Sequence, residues 1–273
     1  EQGMRHLVHY LLEGGVHGLF VVGSTGEFAT FTQAERQRII EVVVDEVAGR
    51  VPILANATEV GTKKTVESAR VVAGTGADAM VLMVPYYFRH NPSEVLRHFR
   101  EVTASVDIPG FIYNNPNSTK FNLTPEMVDE LSQEGRIVGI KDSSHDFAQF
   151  QELLRRFKGS KDFKVFQGEE HHLAASILLG AAGAVLTVAN VVPKLCVALY
   201  EAGVNGDIER AISLQDRLMK AFKMCHVSGA LMPGSAIGGV KAALALRGIC
   251  GGTVKKPFVG PSQEEIGKIK EIL

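Results

Sequence analysis

The sequence is poor in cysteine, in charge of one sign and in long apolar runs, and each shortage excludes something. Its 273 residues include three cysteines, Cys196, Cys225 and Cys250. Odd in number and widely spaced, they argue against a disulfide or zinc framework and for a reducing compartment. Lys and Arg total 29 against 30 Asp and Glu, a formal net charge of −1. The two signs are mixed along the chain, so no electrostatic footprint for nucleic acid or an anionic membrane exists. No apolar stretch is long enough to span a bilayer, no secretory signal opens the chain, and no low-complexity segment or linker divides it. A soluble, cytoplasmic protein is expected, with neither nucleic acid nor membrane as partner.

What is present is a regular alternation. A hydrophobic share of 45% and a charged share of 22% suit one large domain or a barrel with an appendage. Met4, Leu7, Val8, Leu11 and Leu12 follow helical spacing and stop at Gly14-Gly15. Thr32 and Glu35 read as a capping box for a helix whose inner face is Ile39, Ile40, Val43 and Val47. Asn91-Pro92 and Thr124-Pro125 each read as an N-cap followed by a helix-starting proline. Strands are expected over 19–22, 52–57, 79–84, 110–113, 137–141, 163–167 and 184–188, with a helix near 65–73. Glycine-bearing returns at Glu13-Gly14-Gly15-Val16, 73–77 and 180–183 repeat between helix and strand, as βα units of a parallel sheet require. The count is about seven strands, one short of a closed (β/α)8 barrel. Because the chain opens in a helix without an initiator methionine, a first strand is expected to precede the given sequence. Helical segments over 193–202, 208–227 and 235–249 then predict a barrel over 1–190 and a C-terminal helical extension over 191–273 packed on it.

In such barrels the C-terminal ends of the strands carry chemistry. The run Ile137-Val138-Gly139-Ile140-Lys141 delivers an amine to one of them. A lysine held there among apolar neighbours loses hydration, and an uncharged amine in such a site can attack a carbonyl to form a Schiff base. Gly23-Ser24-Thr25-Gly26-Glu27 ends another strand. It is either a turn of small residues or an anion nest whose hydroxyls hold a carboxylate and pass protons. Neither a dinucleotide fingerprint nor a P-loop lysine is present. Tyr113, ahead of Asn114-Asn115-Pro116, is either a proton shuttle or an amphipathic residue at a core boundary. Tyr86-Tyr87 is either a packing pair or an element shown to another subunit. Gly168-Glu169-Glu170-His171-His172 invites a metal reading, but its spacing is not that of H-E-x-x-H and sequence neighbours do not converge on a helix. Acidic residues at a helix N-terminus are the better account, and no metal is expected. Leu178-Leu179 and Val191-Val192 read as core.

Taken in order, Gly-Ser-Thr-Gly-Glu, Pro-Tyr-Tyr, Tyr-Asn-x-Pro, Gly-Ile-Lys-Asp and a Gly-acidic turn resemble the dihydrodipicolinate synthase/N-acetylneuraminate lyase family, over essentially the whole chain. The resemblance implies a class I aldolase barrel, a homo-oligomer (tetramer or dimer), acting on pyruvate or another 2-oxo acid through a covalent lysine imine and without a separate cofactor. By position it makes Lys141 the Schiff-base lysine and Tyr113 the relay tyrosine. Ser24 and Thr25 become the hydroxyl pair on the substrate carboxylate, and Tyr87 the tyrosine that some members insert into a neighbouring subunit's site. Gly168 and the backbone of Val185 line the pocket by the same resemblance.

One departure bears on the substrate. Lysine-pathway synthases of this family carry an arginine where Ser118 stands, and a serine cannot replace a bidentate guanidinium on a second carboxylate. Lys120 offers a point charge if the backbone brings it inward. Dihydrodipicolinate synthesis is therefore disfavoured. Ser24 in place of threonine and Phe28 after the glutamate lean toward lyases of 2-keto-3-deoxy sugar acids or hydroxy-oxo acids. A dehydratase of such acids and a non-catalytic 2-oxo acid sensor are the alternatives.

Overall fold

The computed structural model describes residues 1–229 and 233–273. They form two compact units, Pro52–Val185 and the flanking segments Glu1–Val51 with Leu186–Leu273. The first flanking segment contributes α1 (Gln2–Glu13), β1 (Leu19–Val21) and α2 (Gln33–Val47). Helix α2 starts where expected: the Thr32 side chain accepts from Glu35 N while the Glu35 carboxylate accepts from Thr32 N. This reciprocal cap satisfies two of the donors that a helix start leaves open.

The unit Pro52–Val185 alternates strand and helix: β2 (Ile53–Asn56), α3 (Thr62–Gly74), β3 (Ala79–Leu82), α4 (Pro92–Thr103) and β4 (Gly110–Asn114). The short α5 (Pro116–Thr119) and α6 (Pro125–Ser132) lead to β5 (Ile137–Asp142), α7 (Phe147–Arg156), β6 (Lys164–Gln167), α8 (Leu173–Leu178) and β7 (Gly183–Ala184). Strands β2 to β7 pair in parallel in chain order, which the helical crossovers between them make possible. Their buried, near-continuous apolar runs, Met80, Val81 and Leu82 among them, are what a parallel sheet covered on both faces demands. Phe99 on α4 and Phe150 on α7 are among the largest fully buried side chains. Each such ring stabilises the fold by about 1.5–3 kcal/mol relative to exposure.

The second flanking segment is helical: α9 (Pro193–Val204), α10 (Ile208–Phe222), α11 (Pro233–Leu246) and α12 (Gln263–Ile272). Helix α12 is unanticipated. It opens on a Ser262–Glu265 capping box and buries Ile269. Two other expectations need correction. The strand expected over 184–188 is only Gly183–Ala184, and Val188–Asn190 is a 3-10 turn. There the Asn190 side chain and main-chain N–H both donate to Thr187 O, a local bond that competes with sheet pairing. Leu178 and Leu179 are exposed and not core. The short α8 buries Leu173, Ala174 and Ile177, and Leu178 lies off that stripe. Val191 is buried as expected.

His98 of α4 is nearly inaccessible, and its Nδ1 lies 2.9 Å from Thr62 Oγ1 at the start of α3. With His90, Glu94, Arg97 and Glu101 it lines a cavity of about 240 Å³. Burial, aided by the charge of His90, pushes the His98 imidazole down to about 4. Between its ordinary value of 6.5 and that level, the unfolded chain binds a proton that the folded chain does not, so stability falls as pH falls. The unfolding free energy measured in urea is therefore expected to drop by up to about 3 kcal/mol between pH 7 and pH 4 through this group. His98→Gln should remove that component; an unchanged pH slope in the variant would refute the assignment.

Candidate active site

The chemistry-bearing side chains gather where β4, β5 and β6 end. The register sets Tyr113 opposite Lys141 and Asn114 opposite Asp142, with Lys141 opposite Phe166 on the other side. That register contains an irregularity: Gly110 pairs with Ile137, but Phe111 pairs with Gly139, so β5 carries one extra residue. Gly139 makes the arrangement possible. A Cβ there would lie 2.4 Å from the Phe111 ring and 2.6 Å from Lys164 O. The Phe111 ring instead crosses the glycine and meets Phe166 edge-on at 5.5 Å.

Lys141 is 9% exposed and Tyr113 is 4% exposed. Lys141 Nζ sits 4.1 Å from the centre of the Tyr113 ring, a cation–π distance that holds the amine beside the phenol. The Tyr113 hydroxyl accepts from Asn115 Nδ2 at 3.1 Å. Behind the pair lies a polar lattice built on the buried Asn114 and Asp142. Asn114 Nδ2 donates to Asp142 Oδ1 at 2.7 Å and to Asn122 Oδ1 at 2.9 Å, while Leu123 N donates to Asn114 Oδ1. Ser144 Oγ donates to Asp142 Oδ2 at 2.8 Å. Burial pushes the Asp142 carboxyl up, and the bonds from Ser144 and Asn114 pull the other way. Asp142 thus ties β4, β5 and the segment after α5 together next to the lysine.

Gly168 follows β6 and allows the closest approach in the site. A Cβ there would stand 2.0 Å from Ser143 Oγ, 2.8 Å from Asp142 O and 3.0 Å from Lys141 Cε. Its own N–H donates to Asp142 O at 2.8 Å, and Gln167 Oε1 accepts from the amides of Gly168 and Glu169. Val185 N donates to Gln167 O, so the backbone of Val185 continues the edge made by β6 and Gly168. Lys141, Tyr113 and Gly168 are therefore brought together as expected.

In the other unit, the turn after β1 is tightly built. Glu27 N donates to Ser24 O and Phe28 N to Gly23 O. Thr25 Oγ1 lies 3.1 Å from Thr187 Oγ1, a hydroxyl pair in which either partner can donate. Glu27, left-handed at φ 57 and buried, accepts from the Lys241 ammonium of α11 and from Lys255 N. Sequence reading left Glu27 and Asp142 without roles although both lie inside the quoted motifs. Lys241 is 214 positions from Glu27, and no local pattern pairs Asn114 or Ser144 with Asp142.

Two expected residues lie outside the buried cluster. Tyr87 is 85% exposed at φ 97, its ring edge-on to Phe88. A tyrosine at such a φ is strained and needs a compensating context. Ser118 is exposed on α5, where its N–H donates to Asn115 O. Lys120 Nζ donates to Asn117 O on the same turn at 2.7 Å, so it does not stand in for a guanidinium. Glu169 faces His145 and His171 at 3.3 and 3.6 Å.

Residues 1–273 match the family described as "Dihydrodipicolinate synthetase family". A 4-hydroxy-tetrahydrodipicolinate synthase of Methanosphaerula palustris is 34% identical over 99% of this chain and 90% of its own length. An uncharacterized DapA-like lyase of Halobacterium salinarum is 36% identical over 93% of this chain and 81% of its own. Among solved structures, dihydrodipicolinate synthase from Bacteroides thetaiotaomicron superposes with a TM-score of 0.93 at 35% identity, covering 99% of this chain and 91% of that one. YagE, a prophage protein of E. coli K12 belonging to the dihydrodipicolinic acid synthase family and solved in complex with pyruvate, gives 0.92 at 30% identity, covering 99% and 90%. These likenesses establish the expected fold class, a (β/α)8 barrel with a C-terminal helical part.

Gly168→Ala tests the close approach. Asp142 O is main chain and cannot rotate away, so the methyl should displace Lys141 and Ser143 and cost about 1–3 kcal/mol of stability. Urea unfolding checks the cost, and a variant as stable as the parent would show that the approach is not needed.

Proposed function

The chain belongs to the dihydrodipicolinate synthetase family, whose members are lyases, and from that premise we propose that it is a class I aldolase that cleaves a 2-keto-3-deoxy sugar acid or hydroxy-oxo acid reversibly through an imine on Lys141. The observation that carries the reading is the buried lysine amine 4.1 Å from the Tyr113 ring at paired strand ends. The Lys141 amine attacks the C2 carbonyl, and Tyr113 gives its proton to the departing hydroxyl, so that water leaves and an iminium and a Tyr113 phenolate remain. Tyr113 takes the proton from the C4 hydroxyl as the C3–C4 electrons flow into the iminium, which releases an aldehyde and leaves an enamine. Protonation at C3 and hydrolysis of the imine return pyruvate and the free amine, so the water lost at the start is regained. No separate cofactor takes part in this scheme.

Ser24 and Thr25 are assigned the substrate carboxylate by analogy with the family, Thr25 with its hydroxyl supported by Thr187. Gly168 and the backbone of Val185 shape the wall beside the lysine. Asp142 is a positioning residue, acting through Asn114 and Ser144. Tyr87, exposed and strained, is assigned to a second copy of the chain in a homo-oligomer. The lean away from dihydrodipicolinate-type condensation rests on Ser118 and on Lys120 being held by Asn117. Without a guanidinium, a second carboxylate loses its charge-assisted contact.

Borohydride reduction with pyruvate should leave a pyruvyl mass on the peptide containing Lys141. Lys141→Ala should give neither adduct nor turnover, whereas Tyr113→Phe should keep the adduct and lower kcat by about 10²–10⁴. Turnover by Lys141→Ala would end the mechanism. Product analysis separates the rivals: pyruvate plus aldehyde supports cleavage, a dehydrated oxo acid a dehydratase, and condensation with aspartate semialdehyde a synthase.

A further inference from the structure

The helical segments of Glu1–Val51 and Leu186–Leu273 enclose a groove of about 690 Å³ whose lining carries Lys194, Arg217, Lys220 and Arg247 and no side-chain carboxylate. The rest of the lining is largely apolar, with Val192, Leu195, Leu214 and Ile272, and it includes Tyr10 and Leu273. Lys194 comes from α9, Arg217 and Lys220 from α10, and Arg247 from the residue after α11.

These cations differ from several other basic residues of the chain. Arg5, Arg38, Arg100 and Arg156 each lie against a carboxylate. Among the described residues none of the groove's four cations does; Arg247 instead donates to Tyr10 Oη and to Val191 O, both at 2.8 Å. Tyr10 Oη in turn donates to Val191 O at 2.6 Å, so the guanidinium is held in place by neutral acceptors. Lys220 in the last turn of α10 complements that helix's dipole, but this accounts for one charge of the four. Like charges brought together on a protein of net charge −1 repel one another and raise the local positive potential. A largely apolar lining that carries four cations suits a compact organic anion in that volume range. Guanidinium forks match phosphate and carboxylate groups alike.

We propose that this groove binds a small molecule with two or more anionic groups, phosphate or carboxylate, at a site separate from Lys141. The inference does not depend on the imine mechanism. Thermal unfolding of the full chain with pyrophosphate or citrate, against KCl at equal ionic strength, tests it. A saturable rise in Tm of ~5 °C is expected at ligand concentrations well above Kd, absent in Arg217→Gln/Lys220→Gln and reduced in Lys194→Gln. Borohydride trapping at Lys141 should be unaffected in these variants, and circular dichroism confirms that they fold. A rise with pyrophosphate alone assigns the site to phosphoesters, and one with citrate alone to polycarboxylates. A rise no larger than with KCl, or one that survives in the double variant, overturns the proposal.

Discussion

The register between β4 and β5 is the constraint on which the site depends. Side chains alternate between the two faces of a strand, so a slip of one residue would turn Lys141 away from Tyr113 and Asp142 away from Asn114. The extra residue on β5 after the Gly110–Ile137 pair makes the correct alignment. It is held from both ends. On one side Gly139 receives the Phe111 ring, which stacks edge-on against Phe166 of the next strand. On the other, Asn114 and Asp142 close a buried hydrogen bond that neither could leave unmade without a desolvation cost.

From that register the rest of the site follows. Because Lys141 and Tyr113 sit at paired strand ends, the loop after β6 must pass close by, and only a glycine at 168 fits between Ser143, Asp142 and the lysine stem. The polar lattice behind them carries Asn122, Leu123 and Ser144 with it, so two segments, one after β4 through Asn114 and one after β5 through Ser144, are fixed to one carboxylate. In the other unit the same logic recurs: Glu27 is buried at the turn after β1 and is satisfied by Lys241 and the backbone of Lys255. Stripping such a carboxylate of a partner leaves an uncompensated buried charge, which is expensive.

Much of this was legible in the sequence. The strand and helix alternation, the caps at Thr32, Asn91 and Thr124, and the lysine and tyrosine at strand ends all follow from local rules: periodicity, capping chemistry and the apolar run before Lys141. What escaped was non-local or irregular. Helix α12 carries too weak an apolar stripe to announce itself, with Ile269 its buried residue. The end of β7 gave way to a bond between Asn190 and Thr187. Leu178 and Leu179 look like core in a hydropathy profile, yet the short α8 turns them outward.

Sequence by itself determined the parallel α/β architecture and the residue types at the strand ends, because those depend on patterns within a dozen neighbouring positions. Tertiary structure alone decided which groups meet: Lys141 over Tyr113, Asp142 between Asn114 and Ser144, Glu27 with Lys241, and four cations around one groove. Those encounters join residues up to 214 positions apart, and their distances are set by strand register and helix packing, which no local pattern encodes.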